Sequence, residues 1–312
     1  MPLALVTGAS GFVGLYLVRH LLEQGYEVVG GVRNASARLP LGSRWVRLDV
    51  TDREAVQRIV SDVRPDEIYH LAGLMHPASG TAGEFYQVNL DGTLNLLEAV
   101  RERVPEAKVL LVGSAYAYGN QDRPITENDC LNPLNHYGTS KASADLLGRI
   151  YALQGLRVVR ARPFNHTGPS QAPDFVLPSL VQQFAEIKAG ASDPVVHLGN
   201  LDSVRDFSDV RDIVRGYRLA LQNGHSGEAY NFGSGRGVSV RELFEIVRLT
   251  SQVEAQLGIH SSRIRATDIP YLVADIGKAR RELGWETIIS LGRTVQEMFE
   301  TLRGCISIDS RI

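Results

Sequence analysis

The sequence is poor in cysteine, has no long apolar segment and carries no excess charge of one sign. Its two cysteines, Cys130 and Cys305, are far apart and in no metal-ligand spacing, so neither a disulfide framework nor a metal site is predicted. No apolar run reaches transmembrane length, and no basic leader precedes the first predicted strand. A formal net charge of -2 gives no electrostatic reason to bind nucleic acid or a membrane. We therefore expect a cytoplasmic protein whose partners are small molecules.

Short apolar runs alternate with longer segments of helical period along the first half of the chain. Strands are predicted near residues 3–7, 27–32, 45–48, 67–71, 108–112 and 157–161, and helices lie between them. This alternation is typical of an α/β protein with a Rossmann-type, doubly wound parallel sheet. Prolines become frequent after residue 163, which predicts a smaller α/β domain. We expect residues 1–163 with 207–233 in the first domain, and residues 164–206 with 234–312 in the second.

A glycine-rich turn lies between the first predicted strand and the first predicted helix. Gly8 and Gly11 allow the backbone to turn tightly and approach a pyrophosphate at the helix N-terminus, and Gly14 allows close packing of helix and strand. The alternative is a merely tight turn between strand and helix. A dinucleotide site here would also use the neighbouring residues of the turn, which are Ser10, Phe12 and Val13.

The residues after the second predicted strand favour NADP over NAD, although NAD stays possible. An acid about 20 residues past the glycines normally binds the ribose of NAD, but no Asp or Glu lies between positions 28 and 48. Arg33 stands at the end of that strand, where a guanidinium would pair with a 2′-phosphate. The alternative for Arg33 is a solvated basic loop. Asp49 and Val50, after the third strand, would suit contacts to the adenine.

Tyr137 and Lys141 are four residues apart and so share one face of a predicted helix. A nearby ammonium and a bound nicotinamide cation would both lower the pKa of Tyr137, so that it can exchange a proton with a substrate oxygen. Ser114 follows the strand at 108–112 and could hold that reacting oxygen. These three residues are the predicted catalytic group.

With these motifs the chain resembles the extended short-chain dehydrogenase/reductases from residue 3 to about residue 299. The resemblance implies a cofactor domain, a domain that binds a nucleotide-linked sugar, and cofactor contacts from Leu71 and Ala72 at the end of the fourth strand. It also implies a homodimer built from the helices near 85–103 and 137–153. The motifs that carry it are residues 7–14, His70 to Gly73, Asn89, Gly113-Ser114, Tyr118-Gly119, Tyr137 with Lys141, and Leu283 to Trp285.

Two further segments, residues 162–169 and 204–212, are similar to those of GDP-mannose 4,6-dehydratases and GDP-4-keto-6-deoxy-mannose reductases. This likeness implies a GDP-linked sugar substrate, with Pro163 beside the nicotinamide and with Asn165 and Arg205 on the diphosphate. For Arg205 the alternative is an ion pair with Asp206 or Asp209. Arg265 and Asp268 resemble the pair that holds the nucleoside in this family, although Ala266 stands where a proline is common.

The residues after Ser114 bear on the reaction. The related dehydratases have a carboxylate there to remove water, whereas this chain has Ala115 and Tyr116, so elimination is disfavoured. We therefore expect NADPH-dependent reduction at C4 of a GDP-4-keto-6-deoxy-hexose. The alternatives are a C4 epimerase, a dehydratase in which Glu127 or Asp129 reaches the site from the next loop, and a cofactor-sensing protein without turnover.

Overall fold

The computed structural model describes residues 1–34, 39–75, 80–260 and 269–309, with side chains of the last helix as far as Leu302. Its centre is a seven-stranded parallel sheet in the order β3-β2-β1-β4-β5-β6-β10. The strands are β1 (Leu3–Thr7), β2 (Glu27–Val32), β3 (Arg44–Arg47), β4 (Glu67–His70), β5 (Lys108–Val112), β6 (Arg157–Pro163) and β10 (Ala229–Phe232). The order reverses between β1 and β4, and ligands of such sheets bind at the carboxyl ends of the strands beside this point.

Helices cover both faces of this sheet. The helices α1 (Phe12–Glu23) and α7 (Val210–Asn223) pack together on one face, and α2 (Arg53–Val63), α4 (Gly92–Arg103) and α5 (His136–Leu153) pack on the other. Side chains of a strand alternate between faces, and β1 shows this directly. Ala4 and Val6 join the core beneath α1 and α7, whereas Leu5 joins the core beneath α2 and α4.

One helical run before α4 changes its winding. It begins as α3 (Ala82–Phe85), continues as a π-helical segment over Tyr86–Asp91, and then becomes α4. Such π segments often occur at functional sites. This one holds Asn89, which is buried beside the predicted catalytic group.

The rest of the chain forms a smaller unit with its own apolar core. Its core side chains come mainly from three helices, α6 (Val176–Lys188), α8 (Val240–Ser251) and α9 (Leu291–Asp309). Strand β9 pairs with β7, β11 and β13, while β8 pairs with β12. The bounds are β7 (Asn165–Thr167), β8 (Val195–Leu198), β9 (Val204–Asp209), β11 (Gly237–Ser239), β12 (Gln256–Ile259) and β13 (Tyr271–Leu272).

The predicted Rossmann-type parallel sheet is confirmed. The chain returns to this sheet through α7 and β10, and β10 pairs with β6 so that Phe232 faces Pro163. The predicted domain boundary at residue 207 lies inside β9, a strand of the smaller unit, so the domain limits stay a prediction. Among the described helices, none is both long enough and apolar enough to cross a bilayer. The cytoplasmic location stays a prediction.

Candidate functional site

A cleft of about 1330 Å³ runs along the carboxyl edge of the large sheet and reaches the smaller unit. Arg265 and Asp268, the predicted nucleoside contacts, lie outside the described residues. Every other residue predicted from the sequence to bind or react lines this one cleft: Gly8, Ser10, Gly11, Phe12, Val13, Gly14, Arg33, Asp49, Val50, Leu71, Ala72, Ser114, Tyr137, Lys141, Pro163, Asn165 and Arg205.

The glycine turn has the geometry that a dinucleotide pyrophosphate needs. Gly8 has a positive φ of 69°, and a Cβ there would lie 2.8 Å from the Ala72 nitrogen. A Cβ on Gly14 would lie 2.3 Å from the Gly8 carbonyl oxygen, so only glycine fits. Helix α1 begins at this turn without a side-chain cap and without an acid in its first turn. Its N-terminus can therefore accept an anionic group, and the residues present fit the pyrophosphate of a dinucleotide.

A buried chain of hydrogen bonds holds the strand ends beneath this turn. The Thr93 hydroxyl donates to the Asn89 carbonyl 2.6 Å away, so it accepts from His70 Nε2, which lies at 3.1 Å. His70 Nδ1 therefore accepts from the Thr7 hydroxyl at 2.8 Å. Burial and the charge of Lys141 lower the pKa of His70 to about 3, so its ring is neutral. These hydrogen bonds link β1 to β4 at the point where the strand order reverses.

Arg33 and Asp49 lie together at the exposed end of the cleft. Burial opposes ionisation of Asp49, but the backbone N–H and hydroxyl of Thr51 donate to its carboxylate, at 2.9 and 2.8 Å. These bonds and the charges of Arg33 and Arg47 outweigh burial and hold the pKa of Asp49 below its usual value. Arg33 therefore lies near a carboxylate that its charge helps to keep ionised, and Arg33 itself is exposed.

Ser114, Tyr137 and Lys141 converge where β5 ends and α5 begins. Asn135 caps α5 through its side-chain oxygen, which places Tyr137 in the first turn of the helix. The hydroxyl of Tyr137 lies close enough to Ser114, the residue that caps the turn after β5, for the Ser114 side chain to lower the pKa of the tyrosine. Lys141 Nζ donates to the carbonyl of Val112, at 3.0 Å. All three of the predicted catalytic side chains are less than a tenth exposed.

Burial dominates the ionisation of this group. It lowers the pKa of Lys141 to about 8. Burial also raises the pKa of Tyr137 to about 12. The Ser114 side chain lowers this pKa, but by less than burial raises it, and Tyr116 raises it further. This differs from the lowered Tyr137 pKa expected from the sequence, because burial outweighs the effect of the neighbouring groups. Tyr137 is a neutral phenol near pH 7, as a proton donor must be.

Sequence reasoning assigned no site role to Asn89, Phe85 or Tyr116, which surround the predicted catalytic group. Asn89 Nδ2 donates to the Ser140 hydroxyl at 2.9 Å, and its Oδ1 accepts from a backbone N–H. The rings of Phe85 and Tyr116 lie edge-on to Tyr137, with centroids at 5.9 and 5.7 Å. Asn89 belongs to a motif that resembles the family, so the sequence could have indicated a role for it. Nothing in the sequence indicates Phe85, because its contact with Tyr137 joins distant parts of the chain.

The carboxylates that could have supported dehydration lie elsewhere. Glu127 accepts from the backbone of Asn231 at 2.8 Å, and Asp129 pairs with Arg123 at 2.5 Å. Neither lines the cleft. The described carboxylates that do line it are Asp49, Glu84 and Asp174, and Glu84 is held by the backbone N–H of Thr81 at 2.7 Å in the cap of α3. Within the described part of the chain, no group of acidic, His or Cys side chains could hold a metal ion.

At the other end of the cleft, Arg205 is buried on β9 and donates to the Val204 carbonyl at 2.9 Å. The two acids that offered an alternative have other partners. Asp206 accepts from the Ser234 hydroxyl and three backbone N–H groups, and Asp209 pairs with Arg211 at 2.7 Å. The Oδ1 of Asn165 is buried and has no hydrogen-bond partner among the described residues. A buried polar atom of this kind is expected where a polar ligand supplies the hydrogen bond.

Comparison with known proteins identifies the family of this chain. A family model described as GDP-mannose 4,6 dehydratase matches residues 5–298. The GDP-6-deoxy-D-mannose reductase of Pseudomonas aeruginosa is 32% identical over 93% of this chain and 94% of its own. The GDP-6-deoxy-D-talose 4-dehydrogenase of Aggregatibacter actinomycetemcomitans is 32% identical over 95% of this chain and 96% of its own.

Among solved structures, the RMD protein of Pseudomonas aeruginosa in complex with NADPH has a TM-score of 0.86. It is 29% identical, and the match covers 98% of this chain and 100% of that one. The fold, the cleft and the match over nearly the whole chain agree with one another. The protein belongs to the GDP-mannose 4,6-dehydratase family, within the extended short-chain dehydrogenase/reductases.

Proposed function

We propose that this protein is an oxidoreductase that uses NADPH to reduce the C4 ketone of a GDP-4-keto-6-deoxy-hexose. The substrate we favour is GDP-4-keto-6-deoxy-D-mannose, which would yield GDP-D-rhamnose or its C4 epimer. The observation that carries this proposal is the juxtaposition of Ser114, Tyr137 and Lys141 in a cleft where Ala115 and Tyr116 occupy the positions of the dehydratase carboxylates. The names of the two relatives, a reductase and a 4-dehydrogenase, agree with it.

The chemistry of the step follows from these side chains. When NADPH is bound, it supplies the hydride that adds to C4. The Ser114 hydroxyl holds the C4 oxygen, and the neutral Tyr137 hydroxyl donates its proton to that oxygen as the ketone becomes an alcohol. The Lys141 ammonium stabilises the phenolate that remains, which is costly in a buried site. Reprotonation of Tyr137 from solvent completes the cycle.

The preference for NADPH rests on Arg33, the exposed cation at the adenosine end of the cleft. A guanidinium binds a 2′-phosphate through two parallel hydrogen bonds. A structural relative is known in complex with NADPH. NAD remains a possible cofactor, because Asp49 lies close enough to Arg33 to offset part of its charge.

The remaining roles in the cleft are proposed on position. Backbone groups of residues 8–14 would hold the pyrophosphate, and Asp49 and Val50 would contact the adenosine. Leu71, Ala72 and Pro163 would contact the nicotinamide end of the cofactor. Asn165 and Arg205 would bind the diphosphate of the GDP-sugar. Arg265 and Asp268, outside the described residues, would hold its nucleoside.

The direct test is incubation of the protein with NADPH and GDP-4-keto-6-deoxy-D-mannose generated in place by a dehydratase. Reduction consumes NADPH in proportion to the GDP-6-deoxy-hexose formed. A C4 epimerase is the alternative, because the same three side chains can also accept a proton from an alcohol. An epimerase would interconvert nucleotide sugars without net consumption of cofactor, and that result would replace the present proposal.

A homodimer is proposed from an apolar stripe on the two helices that the family resemblance indicated. Leu146, Ile150 and Leu153 lie three or four residues apart on α5 and are about half or more exposed, at 50%, 48% and 76%. Leu94 on the adjacent α4 is 38% exposed. Exposed apolar side chains that recur on one helix face are typical of association surfaces. Two copies joined along this stripe would form a four-helix contact.

A further inference from the structure

A buried ionic network lies directly behind the Ser114, Tyr137 and Lys141 site, although none of its members lines the cleft. At its centre, Asp145 and Arg162 form a two-pronged ion pair, with Arg162 Nε and Nη2 at 2.9 and 2.7 Å from the two carboxylate oxygens. Their side chains are 2% and 5% exposed. Two parallel hydrogen bonds of this kind fix both the distance and the angle between the guanidinium and the carboxylate.

Asp145 ties the network to the helix that carries the reacting groups. It lies four residues after Lys141 and eight after Tyr137, so the three side chains project from one face of α5. Rotation or sliding of α5 relative to β6 would break the fork. The pair therefore fixes the axial position of Tyr137 against the sheet.

Arg162 also holds the segment that carries Ser114. Its Nη1 donates to the Tyr118 hydroxyl at 2.7 Å, and Tyr118 lies in the turn that Ser114 begins. A Cβ on Gly113, the residue before Ser114, would lie 3.8 Å from the Asp145 carboxylate. Tyr118 in turn donates to Asn231 on β10, at 2.8 Å.

Arg162 precedes Pro163, the residue proposed to lie beside the nicotinamide. One guanidinium thus joins the three pieces of backbone whose relative position sets the distance from hydride to ketone and from ketone to proton donor. We propose that Arg162, through Asp145 and Tyr118, is a positioning residue for hydride transfer. This inference rests on the proposed reductase function.

Arg160 provides a matched comparison within the same strand. It is buried, it binds the same carboxylate, with Nη1 at 2.5 Å from Asp145 Oδ2, and it lies two residues from Arg162 on β6. Its other partner is the carbonyl of Gly227, which lies before β10 and away from the turn that carries Ser114. Loss of Arg160 therefore removes a cation from Asp145 without releasing Tyr118.

The experiment compares Arg162→Gln and Arg160→Gln, with Tyr118→Phe as a milder third variant that keeps the ring beside Arg162. Steady-state rates are measured with NADPH and with NADPH deuterated at both C4 positions, and NADPH affinity is measured by fluorescence on folded protein. We expect Arg162→Gln to lower kcat about tenfold or more, because misplaced reacting atoms slow the chemical step. The isotope effect on kcat should rise, while the Kd for NADPH stays within about twofold.

Arg160→Gln should lower kcat by a smaller factor at a similar loss of folding stability, and Tyr118→Phe should raise the isotope effect without unfolding the protein. Equal kcat for the wild type and folded Arg162→Gln, or equal losses in the two arginine variants, would overturn the positioning role. A wild-type protein that does not oxidise NADPH with the ketone refutes the reductase function itself, so the two failures are distinct.

Discussion

The side-chain nitrogen of Lys141 lies 3.0 Å from the carbonyl oxygen of Val112, the last residue of β5. This bond draws the ammonium from α5 to the strand that leads into Ser114. It lies in a buried setting that lowers the pKa of the lysine to about 8. Lys141, which we propose stabilises the Tyr137 phenolate, is therefore itself close to losing its proton in mildly alkaline solution.

Reductase activity should decline as the pH rises through about 8. The folded pKa of Lys141 is about 8, so the ammonium is present below that pH and lost above it. Tyr137, with a pKa of about 12, stays protonated across the same range. The measurement is kcat/KM against pH. In Lys141→Arg the residual activity should lack this limb, since arginine keeps its charge. If kcat/KM of that variant declines in the same way above pH 8, the decline comes from a group other than Lys141.

Replacing Lys141 by Met should stabilise the folded protein at neutral pH while abolishing turnover. An unfolded lysine ionises near pH 10.4, so the folded state binds this proton more weakly, and stability rises as the pH increases from about 8 to about 10.4. Removal of the charge should add about 1–3 kcal/mol to the free energy of unfolding at pH 7, measured in urea. Lys108→Met is the control, because Lys108 also donates to a carbonyl, that of Leu221, at 2.9 Å. A loss of stability in Lys141→Met equal to that of the control would contradict the burial argument.

Tyr137→Phe should remove the proton donor and little else. The ring keeps its contacts with Phe85 and Tyr116, because those contacts involve the ring and not the hydroxyl. We expect kcat to fall by roughly 10²–10⁴, the usual contribution of a positioned proton donor. NADPH binding, followed by fluorescence, should change little. Full activity in this variant would show that another group supplies the proton.

Arg33→Asp should shift cofactor preference from NADPH towards NADH. The exposed guanidinium at the end of β2 is proposed to bind the 2′-phosphate, and a carboxylate there would repel it and accept from a ribose hydroxyl instead. The ratio of kcat/KM for the two cofactors should change by about tenfold or more. Arg47→Asp is the matched control, since Arg47 also acts on Asp49 but does not line the cleft. A similar shift in both variants would show that the cofactor preference depends on the total positive charge near Asp49 and not on the position of Arg33.

The apolar stripe on α5 predicts the oligomeric state. Leu146→Glu places a charge within the proposed contact, where it would be buried without a partner. Light scattering should then report a monomer, whereas the wild type and Leu249→Glu remain dimers. Leu249 is 67% exposed on α8, far from the stripe in sequence. A dimeric Leu146→Glu variant would place the interface elsewhere.

Much of the fold and many of the cleft residues followed from local patterns. The strand before Gly8, the helix after Gly14 and the spacing of Tyr137 and Lys141 are short-range features, and the sequence displays them directly. The Rossmann sheet was predictable for the same reason. Because parallel strands share one carboxyl edge, residues that follow several strands were expected to meet there.

Features that depend on burial or on distant contacts were not predictable. The raised pKa of Tyr137 comes from burial, which no spacing reveals. The fork between Asp145 and Arg162 joins a helix to a strand 17 positions away. Arg162 begins the family-like segment 162–169, but the sequence does not show that Asp145 is its partner. The π-helical segment around Asn89 likewise depends on how that helix meets its neighbours.

In the proposed reaction a hydride passes from NADPH to C4 of a GDP-linked 4-keto-6-deoxy-hexose. A direct test supplies NADPH that carries deuterium at both C4 positions of the nicotinamide, and the sugar product is analysed by mass spectrometry and NMR. We expect one deuterium at C4 of the GDP-6-deoxy-hexose for each cofactor oxidised. A product without deuterium at C4, or turnover that leaves the NADPH pool unchanged, would contradict it.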